Sequence, residues 1–376
     1  MRVRIILSCG LLAGSAVFLS AANVDYAQSN LTSDLPGVAA HLDPDLVNPW
    51  GIAAPPAGPF WVSDNGSGKS TLYTGSGSKL GLVVTIPPAA GASPPANPTG
   101  VVFNSGVGSG AFNSAPFLFD TESGTVVAWT SGTTASVVVP ASAGSVYKGL
   151  GINTAGTMIY ATNFGQNRID VYDSSFHIVT APGGFKDPNL PSGYAPFNIQ
   201  NIGGNLYVTY ARTNGGKDEI DGPGLGFVDV YNAQGVLQQR LVSNGPLNAP
   251  WGLALAPATG FGAFSGDLLV GNFGDGRINA FNPTTGLFAG ALTDSIGNPI
   301  TIDGLWGLSF GNGTGGEGID TLYFNAGIAG PGNREDHGLF GSVNAVPEPG
   351  DIGLFACGVL VIAGRSIRRR RSQKGA

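Results

Sequence analysis

The chain has 376 residues and a formal net charge of −6, with 61 glycines, 26 prolines and only two cysteines. Within residues 28–345 no basic patch remains that would neutralise phosphates, so nucleic-acid binding is not expected. The glycine and proline content indicates many tight turns, which favours an all-β fold over a helical one.

The first predicted element is a secretory signal peptide over residues 1–27. Two early arginines precede an apolar run from Ile5 to Leu19, and Ala22 and Ala27 offer cleavage points among small residues. This pattern predicts an exported protein.

The predicted body, residues 28–345, holds ten lysines and arginines against twenty-one aspartates and glutamates. Both cysteines, Cys9 and Cys357, lie outside this stretch. The body therefore has no disulfide and no thiol chemistry, and its stability must come from burial.

A repeat of about fifty residues runs through the body. Asn48-Pro49-Trp50-Gly51-Ile52 returns as Ala249-Pro250-Trp251-Gly252-Leu253 and as Gly304-Leu305-Trp306-Gly307-Leu308. With weaker copies included, the anchor positions are 51, 100, 151, 198, 252 and 307. Apolar and polar residues alternate in the later segments of each unit, as in strands with one buried face.

Six units of four short strands predict a six-bladed β-propeller of four-stranded antiparallel blades. The blades are expected to start near residues 48, 97, 148, 195, 248 and 303. A β-helix would need a shorter period, and paired β-sandwiches would not repeat six times. The last unit lacks a fourth strand, so an N-terminal strand over Tyr26–Leu35 is predicted to pair with Leu339–Val343 and close the ring. The Pro-x-Gly openings and Asn-Phe-Gly-x-x-Arg-Ile turns resemble NHL-type repeats.

Three tryptophans, Trp50, Trp251 and Trp306, share one place at the start of an inner strand. They are candidates for a ligand-binding mouth on which sugars stack. The alternative is that each packs as core, with its ring N–H bonded to backbone.

Four asparagines, Asn65, Asn163, Asn272 and Asn325, end second strands near the same mouth. Such oxygen-bearing rings can hold Ca²⁺, although asparagine is also an ordinary turn residue. A bound Ca²⁺ is therefore possible, and no other cofactor is expected.

Six-bladed propellers include metal-dependent lactonases and related hydrolases, so such a hydrolase is the alternative function. However, tryptophans occupy the positions where those enzymes carry an acidic metal ligand. His41 and His337 lie in loops of the first and last blades, where a His–carboxylate pair could form. We name no catalytic residue, and an enzyme is the less favoured reading.

The final predicted element is the tail over residues 346–376. Pro347, Glu348 and Pro349 precede an apolar run from Ile352 to Ala363, and the basic residues Arg368, Arg369, Arg370 and Arg371 follow. This order resembles the PEP-CTERM sorting signal of Gram-negative bacteria that make extracellular polysaccharide. The resemblance implies recognition by an exosortase-type enzyme, transient anchoring of the C-terminal segment in the inner membrane, and a final location at the cell surface or outside the cell.

Nearly the whole chain therefore resembles uncharacterised exported bacterial propeller proteins that end in PEP-CTERM. The predicted function is a non-catalytic binding or structural protein of the surface or matrix. Its expected partners are an extracellular polysaccharide or other surface proteins.

Overall fold

The computed structural model describes residues 25–346, and it confirms the predicted all-β propeller with six blades. Each blade is an antiparallel sheet of four main strands. The first strands of the six blades contact one another in sequence, and the last contacts the first, so that the ring is closed around one axis.

The strands follow in chain order. Two strands precede the first blade: β1 (Asp25–Ser33) and β2 (His41–Leu42). Blade one comprises β3 (Pro49–Ala53), β4 (Phe60–Asp64), β5 (Lys69–Tyr73) and β6 (Val84–Thr85). Blade two comprises β7 (Pro98–Phe103), β8 (Phe117–Thr121), β9 (Val126–Trp129) and β10 (Ser136–Val139). Blade three comprises β11 (Tyr147–Ile152), β12 (Met158–Asn163), β13 (Arg168–Asp173) and β14 (Ile178–Val179).

Blade four comprises β15 (Tyr194–Ile202), β16 (Asn205–Thr213), a short β17 (Glu219–Ile220) that pairs with β16, β18 (Phe227–Tyr231) and β19 (Leu237–Ser243). Blade five comprises β20 (Pro250–Leu255), β21 (Leu268–Asn272), β22 (Ile278–Phe281) and β23 (Phe288–Ala291). Blade six comprises β24 (Leu305–Phe310), β25 (Leu322–Ala326), β26 (Leu339–Val346) and β1. Four short 3₁₀ turns lie between strands at Val107–Ser109, Ala111–Ser114, Phe164–Gln166 and Gly262–Phe264.

The ring closes through β1, as predicted. This strand runs antiparallel to β26, from the pair Asp25 and Val346 to the pair Ser33 and Leu339. The Tyr26 hydroxyl donates to the Phe261 carbonyl at 3.0 Å, which ties β1 to the neighbouring blade. Because β1 begins at Asp25, the last three residues of the predicted signal peptide belong to this strand.

Apolar side chains fill the spaces between neighbouring blades. Between blades one and two, for example, the rings of Trp61 and Phe117 stack with centroids 3.9 Å apart. Each strand that faces two neighbouring blades is buried on both sides, which explains the nearly continuous apolar runs in the second strands. The inner strands of the six blades surround the central channel that is typical of a propeller.

The predicted location requires a correction. Among residues 25–346, no helix is both long enough and apolar enough to cross a lipid bilayer. The expected transient anchoring in the inner membrane is therefore wrong. The apolar segment and arginines assigned to that role lie outside the described residues, as do Pro347, Glu348, Pro349 and residues 1–24 of the leader.

Candidate functional site: a plugged channel with two compartments

Every inner strand carries a bulge near its start. In blade one the pairing with β4 slips between Pro49 and Ile52, and the other five inner strands slip at the matching place. The residues at the six bulges are Trp50, Thr99, Lys148, Phe197, Trp251 and Trp306. The bulge turns this part of each inner strand towards the axis.

The tryptophans of these bulges meet and close the channel. Trp50 and Trp306 stack with centroids 3.6 Å apart, and Trp251 stands edge-on to both. Phe273 stacks on Trp306 from the other direction, at 4.2 Å. The three indoles are 0–4% exposed and, with Phe197, form one apolar cluster, called the plug below. The predicted sugar-stacking mouth would therefore need these rings to become accessible.

The three tryptophan ring N–H groups of the plug differ in their hydrogen bonding. Trp251 Nε1 donates to the Lys148 carbonyl at 2.8 Å, and Trp306 Nε1 donates to Asn48 Oδ1 at 3.3 Å. Trp50 Nε1 is buried and has no hydrogen-bond partner among the described residues.

Glycine follows tryptophan in the repeat because neighbouring inner strands approach closely at the bulge. A Cβ on Gly51 would lie 2.6 Å from the Thr99 carbonyl, and one on Gly307 would lie 2.5 Å from the Trp50 carbonyl. Real Cβ atoms do not tolerate such distances to backbone. In blade three the equivalent residue is Gly149 rather than the predicted anchor Gly151, which places Lys148 in the tryptophan position.

On one side of the plug the channel opens into a cavity of about 510 Å³, called the cup below. Its walls are the inner strands beyond their bulges, such as Ile52–Pro56 and Gly307–Asn312, and Trp251 belongs to its lining. Among the described residues that line the cup, none is acidic, basic, histidine, cysteine or tyrosine. The cup therefore offers apolar surface, amide and hydroxyl side chains and strand-edge backbone.

On the other side, before the bulges, lies a charged region. It is called the mouth below and is distinct from the sugar-stacking mouth predicted at the tryptophans. Lys148 is 2% exposed, and its Nζ lies 2.7 Å from a Glu122 oxygen and 3.9 Å from a Glu219 oxygen. The same Nζ lies 4.8 Å from the centre of the Trp50 ring. Asn48 donates to Glu335 at 3.1 Å.

The rim of the mouth carries a second ion network. The guanidinium of Arg334 lies 3.1 Å from an Asp303 oxygen and 3.3 Å from an Asp221 oxygen, which joins loops of blades four and six. It also lies 5.2 Å from the Phe273 ring. These three charged side chains are 37–47% exposed, so the rim is accessible while the floor is buried.

Burial and neighbouring charges shift the pKa values of ionisable side chains in the mouth. Burial, together with the charge of Glu219, raises the pKa of Glu335 to about 7. Burial also raises the pKa of Glu219. Burial alone would lower the pKa of Lys148, but the charges of Glu122 and Glu219 raise it above its usual value.

All four predicted calcium ligands donate hydrogen bonds through their side-chain amides. Asn163 binds Ser145 and Asp170, and Asn272 binds the Pro246 carbonyl and Asp275. Asn325 donates to the Gly51 carbonyl at 3.0 Å. Of the four, Asn65 alone reaches the mouth, through a 3.3 Å bond to Glu122. Calcium binding by this set stays a prediction.

No group of three or more His, Cys, Asp or Glu side chains within residues 25–346 is arranged to hold a metal ion. Of the two loop histidines, His337 pairs with a carboxylate, since its Nδ1 lies 2.7 Å from an Asp34 oxygen. His41 is exposed on β2.

The sequence did not reveal Glu122, Lys148, Glu219 and Glu335 as one group. Lys148 could have been found by aligning Tyr147-Lys148-Gly149 with Pro49-Trp50-Gly51. The three glutamates lie on loops of different length, so the repeat does not align their positions with one another.

Two proteins of Acanthamoeba polyphaga mimivirus are similar to this chain along most of its length. "Uncharacterized protein R648" is 36% identical over 301 residues, which cover 76% of this chain and 73% of that protein. "Uncharacterized protein L690" is 36% identical over 298 residues, covering 72% and 75%. The chain belongs to their family. Both relatives are viral, so the comparisons do not support the bacterial origin or the PEP-CTERM signal expected from the tail. No protein-family model matches the chain.

Solved structures share the fold at low identity. A streptogramin B lyase aligns with a TM-score of 0.50 and 15% identity, covering 86% of this chain and 98% of the lyase. A protein of unknown function from Bacteroides thetaiotaomicron aligns with a TM-score of 0.50 and 11% identity, covering 85% and 77%. At these identities the likeness establishes the propeller architecture alone.

Proposed function

We propose that this protein is a non-catalytic binding propeller that holds a neutral ligand in the cup. The observation that carries the proposal is the uncharged lining of a 510 Å³ cavity. A cavity of this size accommodates a drug-sized molecule. With no titratable side chain among the described residues of its lining, it offers neither a general acid or base nor a charged anchor.

The favoured ligand is a short neutral oligosaccharide. Phe103 and Phe310 line the cup and are only partly buried, so each can contact the apolar face of a sugar ring. Gln200 and Ser309 also line it and can bond to hydroxyl groups. The strand edges add backbone donors and acceptors, which suit a ligand that carries many hydroxyl groups.

The test is binding of the full chain to an array of neutral and charged glycans, followed by calorimetry with the best neutral one. We expect saturable binding to neutral glycans. Ser309→Glu should weaken that binding at least tenfold, because it places a charge in the uncharged cup. Ser136→Glu makes the same change on the exposed outer strand β10 and should leave the affinity within twofold.

Several outcomes would reject the proposal. These are a preference for charged glycans, binding that Ser309→Glu leaves unaltered, and an array without neutral hits. Capture of neutral peptides instead of glycans would keep the cup but overturn the ligand class.

The alternative inferred from the sequence, a metal-dependent hydrolase, has no comparable support in the cup. Its required cluster of metal ligands is not found among residues 25–346. A screen of lactone and ester hydrolysis by metal-loaded protein tests it directly, and turnover above the buffer rate would favour the enzyme.

A further inference from the structure

A second cavity lies between blades three and four. It has a volume of about 330 Å³ and is called the bay below. Its walls come from the start of β13, from the loop over residues 185–192, and from Tyr194, Pro196 and Tyr210 of blade four. None of these residues lines the cup, so the two cavities are separate. A cavity of this size is sufficient for a small organic ligand.

The loop that forms one wall of the bay is fixed by bonds to blade four. The Phe185 N–H donates to the Gly235 carbonyl at 3.0 Å. The guanidinium of Arg240 forms an ion pair with Asp187 and donates to the Asn189 carbonyl at 3.1 Å. The Asp187 side chain is only 1% exposed, and it belongs to the one acidic residue that lines the bay. The bay is therefore preformed, and its single carboxylate is already neutralised.

Tyr194 supplies a hydrogen-bonding group that has no partner. The residue lines the bay and is 7% exposed, and its hydroxyl makes no hydrogen bond with another described residue. Its ring is fixed by an edge-on contact with Phe227, with the centroids 4.7 Å apart. A polar group that is mostly withdrawn from water gains from a ligand oxygen placed in the bay.

Two cations line the bay. The Arg168 side chain is 51% exposed; its Nε and Nη2 bond to Asp170, and its Nη1 makes no hydrogen bond with another described residue. Lys186 is exposed and forms no ion pair within residues 25–346. This excess of positive charge contrasts with the acidic body of the chain. Guanidinium and ammonium groups are the usual partners of a carboxylate.

Apolar side chains form much of the remaining wall. Ile169, Phe185 and Leu190 line the bay together with three prolines. These surfaces would cover the apolar part of a ligand and remove it from water. An inorganic anion would leave them unused.

We propose that the bay binds a small organic carboxylate with an apolar body, whose oxygens accept hydrogen bonds from Arg168 and Tyr194. The charge of Lys186 adds attraction at the edge of the site. The inference goes beyond the neutral-ligand function of the cup, and either can fail while the other holds.

The test is calorimetry of the full chain with sodium 3-phenylpropionate near neutral pH, where carboxylates are ionised, and at low salt, which limits screening. Saturable binding is expected. The neutral 3-phenylpropanamide has the same apolar body without the charge, and acetate has the charge without the body. Each should bind at least tenfold more weakly.

Two pairs of variants locate the site. Tyr194→Phe removes only the hydroxyl and should weaken phenylpropionate binding roughly tenfold, as expected for a hydrogen bond to a charged group. Its control is Tyr207→Phe: Tyr207 is 8% exposed in the same blade, and its hydroxyl also has no partner among the described residues, but it does not line the bay. Arg168→Gln should weaken binding at least as much. Its control is Arg277→Gln, an exposed arginine at the same repeat position in blade five.

Both controls should keep the affinity within twofold of the parent, and thermal melting verifies that each variant is folded. The proposal is overturned if the parent protein does not saturate, or if the amide or acetate binds equally well. It is also overturned if folded Tyr194→Phe or Arg168→Gln keeps the parental affinity, or if the controls weaken binding as much as they do. Neutral-glycan binding, measured on the same Tyr194→Phe sample, reports on the cup independently.

Discussion

The cup and the mouth occupy the same channel and share the plug, yet their chemistry is opposite. The cup is lined by strand backbone and neutral side chains, whereas the mouth gathers seven charged groups. The difference follows from what builds each wall. Regular strands beyond the bulge form the cup, and loops of unequal length before the bulge deliver side chains to the mouth. In this propeller, the repeat determines the neutral compartment, and departures from the repeat determine the charged one.

The plug separates the cup from the mouth, and truncating one of its rings should have the largest effect on stability. Trp306→Ala deletes a fully buried ring that contacts Trp50, Trp251 and Phe273. We expect the free energy of unfolding to fall by about 3–5 kcal/mol, as for other buried aromatic truncations. Urea denaturation measures the change.

The matched control is Trp129→Ala, which truncates a partly buried tryptophan on blade two. It should cost less than half as much. Equal losses for the two variants would mean that the plug packs no better than the periphery.

The buried ammonium of Lys148 should matter slightly less. Lys148→Met leaves Glu122 and Glu219 without their counter-charge and should destabilise the protein by about 3 kcal/mol, the lower end for breaking a buried ion pair. Adding Glu122→Gln to this variant should recover at least half of the loss. Denaturation at neutral pH reports both changes.

Lys69→Met provides the control, since Lys69 is 36% exposed and pairs with Asp45 at the surface. In this variant the free energy of unfolding should fall by less than about 1 kcal/mol. A Lys148→Met variant as stable as Lys69→Met would show that the mouth does not depend on its cation.

The smallest effect concerns pH. Glu335 has a folded pKa of about 7, above its usual value of 4.5, so the folded state keeps a proton that the unfolded state has lost. Its contribution to stability is therefore present below pH 4.5 and falls as pH rises towards 7.

Glu335→Gln removes this dependence. At about pH 8 the variant should be more stable than the parent by roughly 1–3 kcal/mol. This range lies within what a shift from 4.5 to about 7 allows at about 1.4 kcal/mol per pKa unit. At about pH 4 the two proteins should be within about 0.5 kcal/mol, the range of a neutral substitution. A stability difference independent of pH would contradict the raised pKa.

The sequence predicted the architecture well because a propeller repeats one local unit. The Pro-Trp-Gly motif marked inner strands, and the missing fourth strand of the last unit indicated closure by β1. The same motif could not show that Trp50 and Trp306 stack. Whether these side chains point towards the axis depends on the β-bulges, and the sequence does not mark a bulge. The charged mouth was missed for another reason. Glu122, Glu219 and Glu335 lie about a hundred residues apart, and only ring closure brings their loops together.

Ring closure also brings residues 25 and 346 together. Asp25 pairs directly with Val346 between β1 and β26, the strands of blade six that lie farther from the axis than β24 and β25. A reporter attached at residue 25 or at residue 346 should therefore leave both openings of the channel unobstructed. A circularly permuted chain, with residues 25 and 346 joined by a short linker and new ends in an exposed turn, should keep all six blades.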